Sequence, residues 1–449
     1  EVRKIIDNGD PNNRVDVVFM GDGYTASQKE AFFSDMTRLT KEMFEGTTFK
    51  SWLPFFNIWA IYVESQESGI GYNGPKNTPF KLYRESGQFR AIYPGNPNYA
   101  QQICQLTGVS ACDFPAIIAN DDYYGGFGGH FIIATKSVRT GTTVLRHEMG
   151  HNFNEVGEEY DDGYFYSGVN AAASLDTVSW KSWLTGPLRE EKAIYRVLAY
   201  PWAKLTSVLQ KFTFTSDGAY KRWYLEISIT GVPEADGLEI ILDGVALPFK
   251  SRGSIDREFY NWSGASGFTK GTHTLTIRNK GVPIDPNVSR MLAMVTMYEY
   301  GDESEFMISN EVISAYPTWD SSRRKSYRPS NEKCLMRNMT SPSFCSVCKE
   351  GIWLKFLQRV SLIDKLTYNV NEVVLTTLKL GQYREKFTIP GEKITINWYY
   401  NDVLVDASRN KNNVVAPASG KWKVTVKLDS PEIKSDPDNR TYEERTFYV

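Results

Sequence analysis

Residues 142–154 read Thr-Thr-Val-Leu-Arg-His-Glu-Met-Gly-His-Asn-Phe-Asn, and the pair His147 and His151 within them decides how the rest of the chain is read. At about 3.6 residues per turn, side chains four apart on a helix lie about 40° apart around its axis, so both imidazoles can face one ion. Glu148 falls on the adjacent flank, where a carboxylate can take a proton from metal-bound water without ligating the metal. Imidazole nitrogen and carboxylate oxygen suit zinc, which binds them tetrahedrally with the fourth position left to water. Zinc polarises a carbonyl and brings the pKa of its water toward about 7, which is the chemistry of hydrolysis. The chain has 4 His, and this pair accounts for two of them. His130 and His273 are expected to be ordinary surface or core residues.

An open zinc site needs a third protein ligand, and Glu155, Glu158 and Glu159 follow closely. On an uninterrupted helix Glu158 would sit about 16 Å beyond His147 along the axis, so the helix must end and the chain fold back. Asn154 and Gly157 both tolerate left-handed backbone and either could make that turn. Glu158 is the expected ligand, Glu159 is the alternative, and Glu155 is expected in a solvated acidic loop.

Upstream, the chain alternates strand and helix, as a layered α/β core does. Val15–Met20 is a short β-rich run closed by Gly21-Asp-Gly23; Ser27 and Glu30 fit a capping box, and Phe32, Met36, Leu39 and Met43 recur at helical spacing. Further β-rich runs are Phe56–Val63, Pro115–Ala119 and His130–Ala134, the last entered through the glycines of residues 125–129. From about 205 to 300 the pattern becomes short alternating strands separated by polar turns, the mark of a β-sandwich. A helix is expected over Glu350–Arg359, and residues 368–449 read as an all-β tail of immunoglobulin-like size and pattern.

Length and composition bound these readings. The 449 residues exceed the size of one typical domain about threefold, so two or three cores are expected. With 51 Lys and Arg against 53 Asp and Glu, no global basic field draws the chain to nucleic acid. No apolar run approaches the roughly 20 residues of a membrane span, and the first residues lack the apolar stretch of a signal peptide, so a secreted chain would be in processed form. Of the 5 Cys, Cys104 and Cys112 flank a short polar loop and could pair. Cys334 could pair with Cys345 or Cys348. A structural disulfide or free thiols is expected there rather than a zinc knuckle, because no second pair stands at knuckle spacing. Sequons at Asn261, Asn287, Asn338 and Asn439 give mild support for export.

The spacing His147-Glu-Met-Gly-His151 followed by Glu158-Glu159-Tyr160 resembles the His-Glu-x-Gly-His…Asp-Glu-Tyr stretch of the M64 peptidases. Other pieces are similar too: Phe19-Met-Gly-Asp-Gly-Tyr-Thr25, Tyr124-Gly-Gly-Phe-Gly-Gly129, Tyr327-Arg-Pro, Cys334-Leu-Met336-Arg and Phe344-Cys-Ser-Val-Cys348. The resemblance spans residues 1 to about 195 and 320 to 360. It implies a zincin or metzincin-like catalytic domain of α/β (α+β) class, split into residues 1–204 and 301–367 around an inserted β-sandwich at 205–300 and followed by the β-domain at 368–449. It also implies a secreted zinc metalloendopeptidase acting on protein or glycoprotein substrates, with zinc held by His147, His151 and Glu158 and Glu148 as general base. Met336 would lie in a turn beneath the metal, and Tyr327 could donate to the developing oxyanion. The substrate would pair as a strand with an edge of the sheet, for which His130–Ala134 is the candidate. Two positions depart from the pattern: Asn154 stands where metzincins usually carry Gly, and Glu158 where Asp is expected in this family. A rival reading is a surface protein that binds glycan or protein through its β-modules and carries a degenerate metal site.

Overall fold

The computed structural model describes residues 1–85, 88–154, 156–206, 208–284, 288–369, 371–415 and 417–449, and of Asn154 only the backbone. Glu155 and the sequon residue Asn287 lie outside this set. A five-stranded sheet forms the base of the first 195 residues, in the order Val2–Ile6, Phe56–Ile61, Val15–Asp22, Phe114–Ala119 and Ile132–Thr135. The first strand pairs antiparallel and the rest are parallel. Val15–Asp22 lies second from neither edge, at the centre, and every residue in it is buried, which explains its nearly continuous apolar run.

Helix α1 (Lys29–Met43) covers one face of this sheet with Phe32, Phe33, Met36, Leu39 and Met43. Its entry differs from expectation: the capping box is made by Thr25 and Gln28 across a 3-10 turn, two residues ahead of Ser27 and Glu30. Helix α2 (Pro97–Cys104) follows, and its last residue forms a disulfide with Cys112, as the spacing suggested. Helix α3 (Gly141–Asn154) packs against the Ile132–Thr135 strand.

Residues 193–300 build two antiparallel sheets. One orders Ala203–Lys204, Met291–Tyr300, Arg222–Thr230 and Glu258–Gly264, with Ala193–Ala199 also pairing Met291–Tyr300. The other orders Gln210–Ser216, Gly271–Asn279, Leu238–Leu242 and Val245–Leu247. Leu225, Ile227, Ile240, Leu275, Ile277, Leu292 and Val295 fill the space between them as a separate core. The first strand of this unit begins at Ala193, ahead of residue 205.

The chain then returns beneath α3 through residues 313–345 and enters helix α4 (Ser346–Arg359). That helix starts four residues before Glu350 because Cys345 serves as its N-cap. Two more sheets follow, one of three strands (Ile363–Asn369, Glu372–Thr377, Asn413–Val415) and one of four. Trp353 and Phe356 of α4 pack on Trp52 and Phe55, so this tail shares a continuous core with the first sheet. A salt bridge at 2.6 Å from buried Arg14 to Asp364 ties the two together at the rim. The arrangement is mixed α/β, rich in sheets and poor in helices. Among the described residues no helix is long and apolar enough to cross a membrane.

Candidate active site

Helix α3 distributes four kinds of contact around its circumference. Leu145, Met149 and Phe153 recur every four residues and are buried in the core. Val144, Glu148 and Asn152 face the glycine-rich loop, where a Cβ on Gly126 or Gly128 would collide with Val144 or with Glu148 Oε2 respectively. Gly150 lies against Met336, whose sulfur would be 3.0 Å from any Cβ at that position. His147 and His151 occupy the remaining stripe.

On that stripe the two Nε2 atoms are 3.2 Å apart. Glu158 comes back to meet them: its Oε1 is 3.1 Å from His151 Nε2 and its Oε2 is 3.5 Å from His147 Nε2. A tetrahedral zinc with ligand bonds of about 2.1 Å sets its donors about 3.4 Å apart, close to the spacings among the two ring nitrogens and the two carboxylate oxygens. The outer ring nitrogens are anchored as metal-bound imidazoles are: His147 Nδ1 to the Leu335 carbonyl at 3.2 Å and His151 Nδ1 to the Val156 carbonyl at 2.6 Å. Glu158 Oε2 is buried and makes no hydrogen bond, an orphan that a cation would satisfy. The donor set and the orphaned oxygen both fit a divalent metal.

The return of Glu158 does not use a left-handed residue at Gly157. No positive φ occurs there; instead the position must be glycine because a Cβ would strike the backbone of Ser167. The Glu158 N–H bonds the Phe165 carbonyl at 2.7 Å, and the neighbouring Glu159 N–H bonds the Met336 carbonyl at 3.0 Å. Glu159, the alternative ligand, turns away from the histidines toward Cys334, Cys345 and Cys348.

Electrostatics separates the roles before any ion binds. Burial pushes the Glu148 carboxyl up to about 7; His151 opposes this and Glu158 adds to it. Burial also drives His147 down to about 4, against the attraction of Glu158. His151 goes the other way, up to about 9, because the charge and hydrogen bond of Glu158 overcome the cost of burial. Glu158 is correspondingly held below the usual carboxylate range by both rings in spite of burial.

Tyr327 is not brought to this cluster. Its strand, Lys325–Arg328, pairs with Tyr316–Trp319, and its hydroxyl donates to Glu190 at 2.6 Å. Two other phenols are closer to the charges of the site. Tyr160 donates to Glu158 Oε1 at 2.8 Å, and its ring lies 6.2 Å from that of His147. Tyr124, raised by burial, also feels Glu148 and Glu158. Both sit inside motifs quoted from the sequence, but nothing in a motif says which tyrosine turns inward. His130 bonds Gln101 at 2.9 Å and His273 bonds Asp243 at 2.6 Å, both ordinary structural roles.

The expected substrate edge is also altered. The strand begins only at Ile132, and Phe127 already closes on Ile133 through a two-way antiparallel bridge, N–H to carbonyl at 3.0 and 2.9 Å. The glycine-rich loop therefore lies between Ile133 and Ala91, to which Gly126 is bridged in parallel with its N–H on the Arg90 carbonyl at 3.2 Å. It is held from behind by the fully buried Arg84, which donates to Asp121 and to the Tyr124 carbonyl at 2.8 Å. Asp256 from the inserted strands accepts the Tyr124 N–H at 2.6 Å, and Asn152 of α3 holds the Gly129 carbonyl at 2.7 Å.

Residues 4–174, which include every element of this cluster, match the sequence profile of the family described as IgA Peptidase M64. Over these residues the chain is similar to the M64 peptidases. M64 peptidases are metallopeptidases, which accords with the His147, His151 and Glu158 cluster. No curated protein matches the chain. Among solved structures, a GH2 β-galacturonidase from Eisenbergiella tayi is 10% identical, covering 54% of this chain and 35% of its own with a TM-score of 0.15. A β-glucuronidase from Faecalibacterium prausnitzii is 9% identical over 54% of this chain and 36% of its own, also at 0.15. The chain thus spans about a third of the length of these enzymes. A two-domain esterase active on acetylated mannans is 8% identical over 65% of this chain and 92% of its own, with a TM-score of 0.17. Likeness at this level carries no argument, and the similarity to the M64 peptidases rests on its own residues.

Proposed function

We propose that the chain is a secreted zinc metalloendopeptidase with a metzincin-like catalytic centre. The observation that carries this is the convergence of His147, His151 and Glu158 on one point, with Glu158 Oε2 orphaned there. Bound at these three residues, zinc would polarise the scissile carbonyl and acidify a water. Glu148, one residue from His147 and with a carboxyl raised by burial, would take a proton from such a water and later pass it to the leaving amine. Gly126 and Gly128 leave the space in which that carboxylate stands. Met336 supports the helix from beneath at Gly150. Tyr327 donates to Glu190, and the phenols nearest the charges of the site are Tyr124 and Tyr160.

An extended protein substrate would lie along the glycine-rich loop, on the edge left open by the Gly126–Ala91 and Phe127–Ile133 bridges. A cavity of about 330 Å³ opens at the same edge, lined by Pro94, Pro97, Gln101, Phe127 and Phe131, and suits an apolar side chain beside the cut. Secretion accords with the Cys104–Cys112 disulfide, since such bonds persist in oxidising compartments.

The test is Glu148→Gln. It should keep stoichiometric zinc and lose cleavage of an unfolded protein by about 10²–10⁴-fold, while a chelator abolishes cleavage by the parent. Cleavage at the parental rate would refute the mechanism. Stoichiometric zinc without turnover by the parent on any protein would leave the binding-protein reading standing instead.

A further inference from the structure

We propose that Glu159, Cys334, Cys345 and Cys348 form a second metal site, a structural zinc centre behind the first. All four residues are fully buried, and one donor atom from each lies within 4.8 Å of the others. A tetrahedral zinc with sulfur bonds of about 2.3 Å spaces its thiolates about 3.8 Å apart. Cys334 and Cys348 sulfurs are 3.6 Å apart, Glu159 Oε1 is 3.4 Å from the Cys348 sulfur, and it is 4.0 Å from that of Cys345. Three thiolates and a carboxylate are a donor set that zinc takes in preference to harder cations.

The surroundings are built for thiolates. The Cys345 N–H points at the Cys334 sulfur at 3.4 Å, and the Cys348 N–H at the Cys345 sulfur at 3.5 Å. Cys345 also caps α4, so the positive end of a 14-residue helix faces the cluster. Glu159 Oε2 makes no hydrogen bond although it is completely buried; Oε1 is held by Asn170 at 2.9 Å. An unpaired carboxylate oxygen enclosed with three sulfurs and no solvent needs a cation. A disulfide is the other way to satisfy two of the sulfurs, but it would strand the third thiol and leave Glu159 Oε2 unpaired. In a chain that carries the Cys104–Cys112 bond, a metal is what keeps neighbouring thiols reduced.

The spacing Cys345-x-x-Cys348 is half of a zinc knuckle whose other half is distant in sequence. Glu159 adjoins Glu158, and Cys334 precedes the Leu335 carbonyl that holds His147 and the Met336 carbonyl that holds the Glu159 N–H. A metal here would staple the loop that returns Glu158, the segment under α3 and the start of α4. Its loss would loosen the first site without touching the ions held there.

The experiment is metal analysis of the full chain expressed with zinc, with cobalt substitution as the spectroscopic readout. The parent should hold two zinc ions per chain, one for each cluster. His147→Ala/His151→Ala should halve that content and keep the thiolate-to-cobalt charge-transfer absorption, which two imidazoles and a carboxylate cannot produce. Cys348→Ser should lose that absorption. Because this variant could misfold, the parent itself is also treated with a mercurial, which should release one zinc as the thiols react. A single zinc in the parent, a second zinc without the charge-transfer band, or a disulfide among these three cysteines in non-reducing peptide mapping would each overturn the proposal. None of these readouts requires hydrolysis, so they stand apart from the fate of the proposed peptidase activity.

Discussion

The Tyr160 hydroxyl donates to Glu158 Oε1 at 2.8 Å, from two residues along the same loop. His151 Nε2 lies 3.1 Å from that oxygen, and the other carboxylate oxygen, nearest His147, is the unpartnered one. The phenol thus fixes which way the carboxylate presents itself to the two rings.

Removing that fixing bond should weaken metal binding. Partners that orient a ligand are worth about 10–100-fold in affinity. Tyr160→Phe is expected to lower zinc affinity within that range, measured by competition with a chromophoric chelator. Tyr327→Phe, whose hydroxyl serves Glu190, should leave zinc affinity unchanged. If Tyr327→Phe lowers it and Tyr160→Phe does not, the assignment of the two tyrosines is reversed.

Gly128 sets the space for Glu148, the proposed general base. A Cβ there meets Glu148 Oε2, which must move, and the loop it belongs to is pinned by Asn152 at Gly129. Gly128→Ala should keep zinc but reduce kcat by about 10²-fold, because a displaced base loses its geometry with the water. A variant with parental kcat would mean that the loop yields and Glu148 does not.

The sequence made the catalytic stripe legible because a helix places His147, Glu148 and His151 by local periodicity alone. The all-buried Val15–Asp22 strand was legible for the same reason, a short apolar run with glycines at its end. What stayed hidden was long-range. Glu158 and Glu159 are adjacent and chemically identical, and they part only because the loop points one at His147 and His151 and the other at Cys334 and Cys348. Cys345-x-x-Cys348 lacked a visible partner pair because its partners come from residues 334 and 159. Tyr327 carried a role by resemblance that its strand partner and Glu190 do not let it reach. Such choices are made by packing between segments, which no local pattern encodes.

Asp161 joins the strand Met291–Tyr300 to the segments at residues 318–319 and 337. It is buried and accepts from the Thr318 hydroxyl at 2.8 Å, the Trp319 N–H at 2.7 Å, Arg337 at 2.7 Å and the Tyr298 hydroxyl. Burial alone would raise its carboxyl, but Arg337, Arg328 and these bonds keep it below the usual range. Asp161→Ala leaves Arg337 with Glu332, at 3.0 Å from its Nε, as its remaining partner and should cost about 3 kcal/mol in urea unfolding. Tyr298→Phe removes one bond to the charge and should cost about 1.5–3 kcal/mol. Equal small losses for both would argue that the two parts are held by apolar contact instead.

Glu226 supplies a pH dependence remote from the metal ligands. It lies on the Arg222–Thr230 strand and accepts from the Tyr224 hydroxyl at 3.1 Å. Burial, and next to it the charge of Glu332, push its carboxyl from 4.5 up to about 7, against the pull of Arg337 and Arg257. A carboxyl raised on folding favours the folded state while it is protonated. Its contribution is complete below pH 4.5, the unfolded value, and is lost as pH rises through about 7. Glu226→Gln keeps the shape and removes the titration. At pH 8 the variant should therefore be more stable than the parent by about 1–2 kcal/mol, a figure reduced from the full shift for partial exposure. Near pH 4.5 the two should agree. Urea unfolding of both proteins at the two pH values reads the difference directly, and a gap that does not change with pH would show that folding leaves the Glu226 carboxyl at its unfolded value.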